Sequence, residues 1–153
     1  MEYNVIQKGP MQVMGIEIRT TNENWQSGKD IPPFWGQFYR EQIQAQIPNQ
    51  KTGEVLGLYC EYEKDHTKPY TIVAGCEVTL VGEIPEGLVV KQIPAAKYAV
   101  FEISGKFPDQ MMEVWQWIWE DHLRRTYTGD FELYPLGFEP ESNSDLLLYV
   151  AIN

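Results

Sequence analysis

Apolar and polar positions along the chain change period several times, and the changes mark out its elements. In "PMQVMGIEIRT" the apolar Val13, Ile16 and Ile18 sit among strand formers, and the polar "TNENWQSGKD" follows. In "IPPFWGQFYREQIQAQI", Ile31, Phe34, Trp35, Phe38 and Ile43 recur at near-helical spacing. Asp30 is placed to cap that helix, and Pro32 suits its first turn. "PNQKTG" ends it, and two strands follow, "VLGLYCEYE" and "YTIVAGCEVTLVG", joined by the turn chemistry of "KDHTKP".

The second half repeats this order. "VVKQIPAAKYAVFEISGK" is extended and alternating around Tyr98, Val100 and Ile103. "PDQMMEVWQWIWEDHLRRT" predicts a helix opened by Pro108, with Asp109 in its first turn and Arg124 and Arg125 in its last. Its inward stripe is Met111, Val114, Trp115, Ile118 and His122. "DFELYPLGFEP" and "DLLLYVAIN" close the chain as strands around the turn-rich "ESNS". Glu17 and Glu102 hold matching places, each before the final Ile of a strand.

The pattern therefore predicts an α+β fold of duplicated βαββ units. The units form a mainly antiparallel sheet with two helices on one side and a central cleft. A single domain would span 1–153, with pseudo-repeats at about 1–82 and 88–153 linked through "EIPEG" at 83–87. The gap between the helices is the natural place for a small molecule.

Composition adds two facts: an aromatic content of 13%, with five Trp and nine Tyr, and a net charge of −10. Such an acid excess argues against a surface that neutralises phosphates, so no direct nucleic-acid partner is expected. An acidic field attracts cations. No apolar run reaches the length needed to span a bilayer, and "MEYNVIQKGPM" carries no secretory signal, so a cytoplasmic protein without a membrane partner is expected. Cys60 and Cys76 have no metal spacing and read as buried reduced thiols. With only two histidines, His66 and His122, neither zinc nor haem has enough ligands, and no cofactor or metal is expected.

In "DFELYPLGFEP", alternation puts Phe131 and Leu133 on one face and Glu132 and Tyr134 on the other. That second face is either wet or turned to a pocket. Trp35, Tyr59, Trp115 and Trp119 are aromatic candidates for pocket walls, or for ordinary core. Trp117 and Trp119 cannot both share the face of Trp115. Trp25, in the polar loop, reads as a lid or a solvent-side anchor. Glu61 lies near the cleft if Tyr59 faces it, and otherwise belongs to a wet face.

The ordered co-occurrence of "IPPFWGQF", "GLYCEYE", "YTIVAGCEV", "IPAAKYAVFEISG", a Trp-rich helix and "FELY" resembles the GyrI-like effector-binding domain over nearly the whole chain. The resemblance implies an aromatic pocket at the junction of the halves with one buried carboxylate, at the position of Glu132. It implies a lipophilic cation as ligand. The sequence departs from the regulator members in showing no helix-turn-helix or winged-helix segment, so a stand-alone member without a DNA-binding domain is expected, acting through a regulatory protein partner where it acts in regulation. Three functions follow. The first is binding of amphipathic, cationic aromatic molecules by Glu132, Tyr134, Trp35, Tyr59, Trp115 and Trp119. The second is hydrolysis of strained electrophiles with Glu132 as general base. The third is an acidic protein–protein inhibitor.

Overall fold

A computed structural model of the chain describes residues 1–104, 108–138 and 145–153. Its strands are β1 (Asn4–Lys8), β2 (Met11–Thr20), β3 (Val55–Cys60), β4 (Tyr70–Val78), β5 (Val89–Ile93), β6 (Ala96–Ile103), β7 (Asp130–Tyr134) and β8 (Leu146–Ile152). The helices are α1 (Gln26–Arg40), the single turn α2 (Ile43–Gln46) and α3 (Asp109–Trp119). The "ESNS" turn expected at 141–144 lies outside the described residues.

All strands join one antiparallel sheet in the order β1-β6-β8-β7-β3-β4-β2-β5. The series β2-α1-β3-β4 and β6-α3-β7-β8 are the two βαββ units, and β3 and β7 join them edge to edge. That seam sets Gly57 opposite Glu132. Only Gly9 and Pro10 separate β1 from β2, although the two strands stand near opposite ends of the strand order. The sheet therefore curls until its ends approach, and Lys8 on β1 reaches Glu77 on β4 at 3.7 Å. At the opposed pair Gly15 and Gly75, a Cβ on either residue would lie 2.0 Å from a carbonyl oxygen of the facing strand. Only glycine admits so close an approach.

Alternation sends successive residues to two cores. Met14, Ile16, Ile72, Phe101 and Leu148 pack beneath the helices with Phe34 and Phe38 of α1 and Val114 and Ile118 of α3. Val13, Leu58, Val73, Tyr98 and Phe131 fill the helix-free side, which the curled sheet covers with itself. Burying an aliphatic or Phe side chain stabilises the fold by about 1.5–3 kcal/mol, so both faces hold the curl. Cys60 and Cys76 are free and buried, and desolvation pushes their thiols up to about 12 and about 11.

The structure corrects four expectations. The extended run through "VVKQIPAAKYAVFEIS" is two strands, because Pro94 has no N–H for a ladder. Its first part, β5, pairs with β2, while β6 pairs with β8 and with the unforeseen β1. Helix α1 starts at Gln26, so Asp30 is no cap; it accepts bonds from Thr20 Oγ1 at 2.9 Å and Gln26 Nε2 at 3.0 Å. Pro32 and Pro33 lie inside α1 on its exposed side, well past its first turn. Helix α3 stops at Trp119, which removes His122, Arg124 and Arg125 from it. His122 is exposed and stacks on Trp117 at 4.3 Å.

Candidate functional site

Two helical stripes and the sheet seam build a cleft of about 690 Å³, within the usual range for small-molecule sites. In α1, Phe34 and Phe38 enter the core, and Ile31, Trp35 and Tyr39, one helical turn apart, line the cleft. In α3, Met112, Trp115 and Trp119 do the same. Trp119 lies 6.3 Å from Trp115 in near-parallel stacking, whereas Trp117 turns away to Phe101 at 5.9 Å and Tyr3 at 6.3 Å. Trp25 stands at the cleft, 73% exposed, in a left-handed conformation just before α1.

Glu132 and Tyr134 come from β7, and Tyr59 comes from the paired β3. Glu132 is 1% exposed. Its Oε2 accepts bonds from Tyr59 Oη at 2.8 Å and Trp115 Nε1 at 3.1 Å, and its Oε1 accepts one from Tyr134 Oη at 2.6 Å. Trp35 meets Tyr134 edge-on at 5.5 Å, and Tyr59 meets Trp115 at 5.1 Å. The structure thus brings Trp35, Tyr59, Trp115, Trp119, Glu132 and Tyr134 to one cleft.

Desolvation raises the Glu132 pKa above the ordinary carboxylate value, and its bonds from Tyr134, Tyr59 and Trp115 pull it back in part. Burial, and then the Glu132 charge, holds the Tyr59 and Tyr134 phenols well above their ordinary value, so both remain donors. Among the described residues Glu132 has neutral donors and no ion-pair partner. A carboxylate so placed can meet a cation, or take a proton, without first breaking a salt bridge.

A second buried acid occupies the same strand face. Asp130 Oδ2 accepts bonds from Arg125 Nη2 at 2.7 Å and Tyr62 Oη at 2.6 Å, and its Oδ1 accepts one from the Ala151 N–H at 2.8 Å. The sequence reading missed this group. The alternation that singles out Glu132 and Tyr134 includes Asp130 two residues earlier, so the signal was present for the acid. It was absent for Arg125, whose place at the end of a helical pattern concealed a side chain directed inward. Gly57 was also missed: a Cβ there would meet Trp35 Cζ2 at 3.0 Å and Glu132 Oε1 at 3.1 Å.

Glu61 leaves the cleft although Tyr59 faces it. Its φ of 52° breaks the strand alternation after Cys60, and Glu61 pairs in the open with Lys91, which also holds Glu17 at 2.8 Å. Among the described residues no group of three or more His, Cys, Asp or Glu is disposed to hold a metal. No helix among them is long and apolar enough to cross a membrane.

The model of the family described as integron-associated effector binding protein, Cass2, matches residues 4–152. YobU of Bacillus subtilis (strain 168), a candidate transcriptional regulator, is 29% identical over 143 residues, covering 90% of this chain and 89% of YobU. The transcriptional regulator BrlR of Pseudomonas aeruginosa is 30% identical over 159 residues, covering 99% of this chain and 56% of BrlR. The chain thus spans just over half the length of BrlR. SAV2435, solved with tetraphenylphosphonium bound, shares the fold at a TM-score of 0.82 and 23% identity, over 100% of this chain and 94% of that one. The integron cassette protein VCH_CASS2 of Vibrio cholerae superposes at a TM-score of 0.74 with 26% identity, over 99% of this chain and 95% of that one. From the curled, twice-built sheet to the sequence match along its length, the chain belongs to the Cass2 family of GyrI-like effector-binding domains.

Proposed function

We propose that this single domain binds amphipathic aromatic cations in the cleft, for sensing or sequestration, with Glu132 as the buried counter-charge. The observation that carries the reading is a carboxylate 1% exposed, bonded by three neutral donors and ringed by aromatic faces. An ionised carboxylate out of water is unfavourable, and a weakly hydrated organic cation removes that penalty with little desolvation of its own. The faces of Trp35, Trp115 and Trp119 add cation–π attraction of about 0.5–2 kcal/mol each when desolvated. The tetraphenylphosphonium held by SAV2435 is a ligand of this class and supports the reading.

The test is a tryptophan-fluorescence titration with N-benzylquinolinium and its neutral isostere 1-benzylnaphthalene. Glu132→Gln is expected to weaken the cation at least tenfold, about 1.4 kcal/mol, and the isostere by less than threefold. Equal losses for the two ligands would remove Glu132 as a charge reader.

The raised Glu132 pKa favours a second reading, a hydrolase of strained electrophiles in which Glu132 takes the proton of an attacking water. Slow consumption of an epoxide-bearing aromatic, lost in Glu132→Gln, supports it. Unchanged ligand after long incubation excludes it for that substrate.

A further inference from the structure

The counter-charge role of Glu132 leaves two other buried polar groups of the same cleft unexplained. The Arg125 side chain is 4% exposed and lines the cleft. Its Nη2 serves Asp130 at 2.7 Å and lies 3.3 Å from Tyr62 Oη, but Nε and Nη1 are buried with no partner among the described residues. Rings surround the guanidinium, with its Cζ 4.4 Å from the Tyr127 centroid, 5.7 Å from Tyr62 and 5.8 Å from Trp115. Rings over the guanidinium face do not serve its N–H groups, which point outward in the plane. A buried donor left unpaired is unfavourable and rare in a folded protein.

The second group is His66, which also lines the cleft. Its ring stacks near-parallel to Trp119 at 6.0 Å, and its Nδ1 is buried without a partner. Burial first, and then the Arg125 charge, keeps its pKa below the ordinary value, so the imidazole is neutral at neutral pH. Two side chains from separate segments therefore leave polar capacity unmet in the cleft: two guanidinium N–H groups, and an imidazole Nδ1 that donates in its Nδ1–H tautomer.

We infer that Arg125 and His66 form a second polar subsite, which takes a carbonyl oxygen on the same ligand whose cationic end meets Glu132. This inference rests on the cation reading of the cleft. Trp115 links the two ends, donating to Glu132 from its indole N–H while its ring lies beside Arg125. Asp130 and Glu132, two residues apart on one strand face, stand ~6.6 Å apart along the backbone, and Arg125 is held on the Asp130 side. The acceptor is neutral because Asp130 already balances the guanidinium charge. A ligand carboxylate would add an anion beside two buried ones.

The experiment compares N-benzylquinolinium cations carrying a para-acetyl or a para-isopropenyl group. These substituents share shape and differ in C=O against C=CH2. An aromatic cleft alone ranks the isopropenyl probe higher, because it is the more apolar. The Arg125–His66 subsite reverses that order, with the acetyl probe bound about tenfold more tightly by the wild type. Arg125→Lys keeps a positive charge for Asp130 but loses the planar fork, and is expected to bring the two probes within threefold of each other. His66→Phe keeps the stack on Trp119, removes Nδ1 and is expected to lower the preference in part.

A wild type that binds the probes alike, or the isopropenyl probe better, overturns the subsite while N-benzylquinolinium binding leaves the cation reading standing. Failure to bind any of the three cations removes both readings. A preference unchanged in both variants overturns the assignment to these residues. Should Arg125→Lys not fold, the wild-type ranking and His66→Phe still decide.

Discussion

Asp130 and Glu132 lie two residues apart on one face of β7, both out of water, yet the protein satisfies them differently. Asp130 has a permanent cation, a phenol and a backbone N–H, all supplied by the fold. Glu132 has two phenols and an indole, and no counter-charge among the described residues. A buried ion pair is closed within the molecule, so removing either partner strands the other. A carboxylate bonded by neutral groups is soluble enough in the fold to remain there, and its charge is still available to a visitor. On the proposed reading, neighbouring positions of one strand serve stability and recognition separately.

The sharpest way to break this contrast is to remove the cation from the Asp130 side. Arg125→Met should lower unfolding free energy by about 3–5 kcal/mol in urea titration, because Asp130 is left buried and unpaired. A loss below about 1 kcal/mol would mean that Tyr62 and the Ala151 N–H alone support Asp130, and the two acids would be alike.

Gly57→Ala is expected to act next most strongly, since the new Cβ falls 3.0 Å from Trp35 and 3.1 Å from Glu132 Oε1. Overpacking of this kind costs about 1–3 kcal/mol. It should weaken N-benzylquinolinium and 1-benzylnaphthalene together, because Trp35 moves for both, whereas Glu132→Gln separates them. A Gly57→Ala protein with wild-type affinity for each ligand would show that Trp35 is no wall of the binding site.

The smallest effect is the most telling about Glu132. Its pKa in the folded protein is raised above the ordinary 4.5, so the folded state holds that proton more tightly than the unfolded chain does. The stability drawn from this group is full below about pH 4.5 and declines as pH rises through the raised value. Glu132→Gln has no charge to bury, and is expected to be the more stable protein near pH 7, with the gain fading toward pH 4. Thermal melts of both proteins without ligand, across that range, measure it. A variant less stable than wild type at every pH would show that the three donors fully offset the burial of charge.

The legible parts of the site were those written in one element's period. Alternation paired Glu132 with Tyr134, and helical spacing marked Trp35 and Trp115. The same periods said which faces exist, but not what covers them: on the helix-free side of the sheet, Phe131 packs into a core as dry as the one under the helices. Tyr59 was one candidate among several strand aromatics until the β3–β7 seam set it beside Glu132. Arg125 was misplaced because a helical pattern runs past the point where the backbone leaves the helix, and Pro94 divided an extended run whose halves went to distant parts of the sheet.

By itself the sequence determined the βαββ order, the two aromatic helices and the two-faced strand of Glu132, because these follow from spacings of two to four residues along the chain. The tertiary structure alone decided that Gly57 opposes Glu132, that Arg125 closes on Asp130 and that His66 reaches Trp119. Those decisions depend on which strands become neighbours and how tightly the sheet curls. The first and last of these contacts join residues far apart in the chain. The Arg125–Asp130 pair, five residues apart, spans irregular backbone between α3 and β7, so no local period encodes any of them.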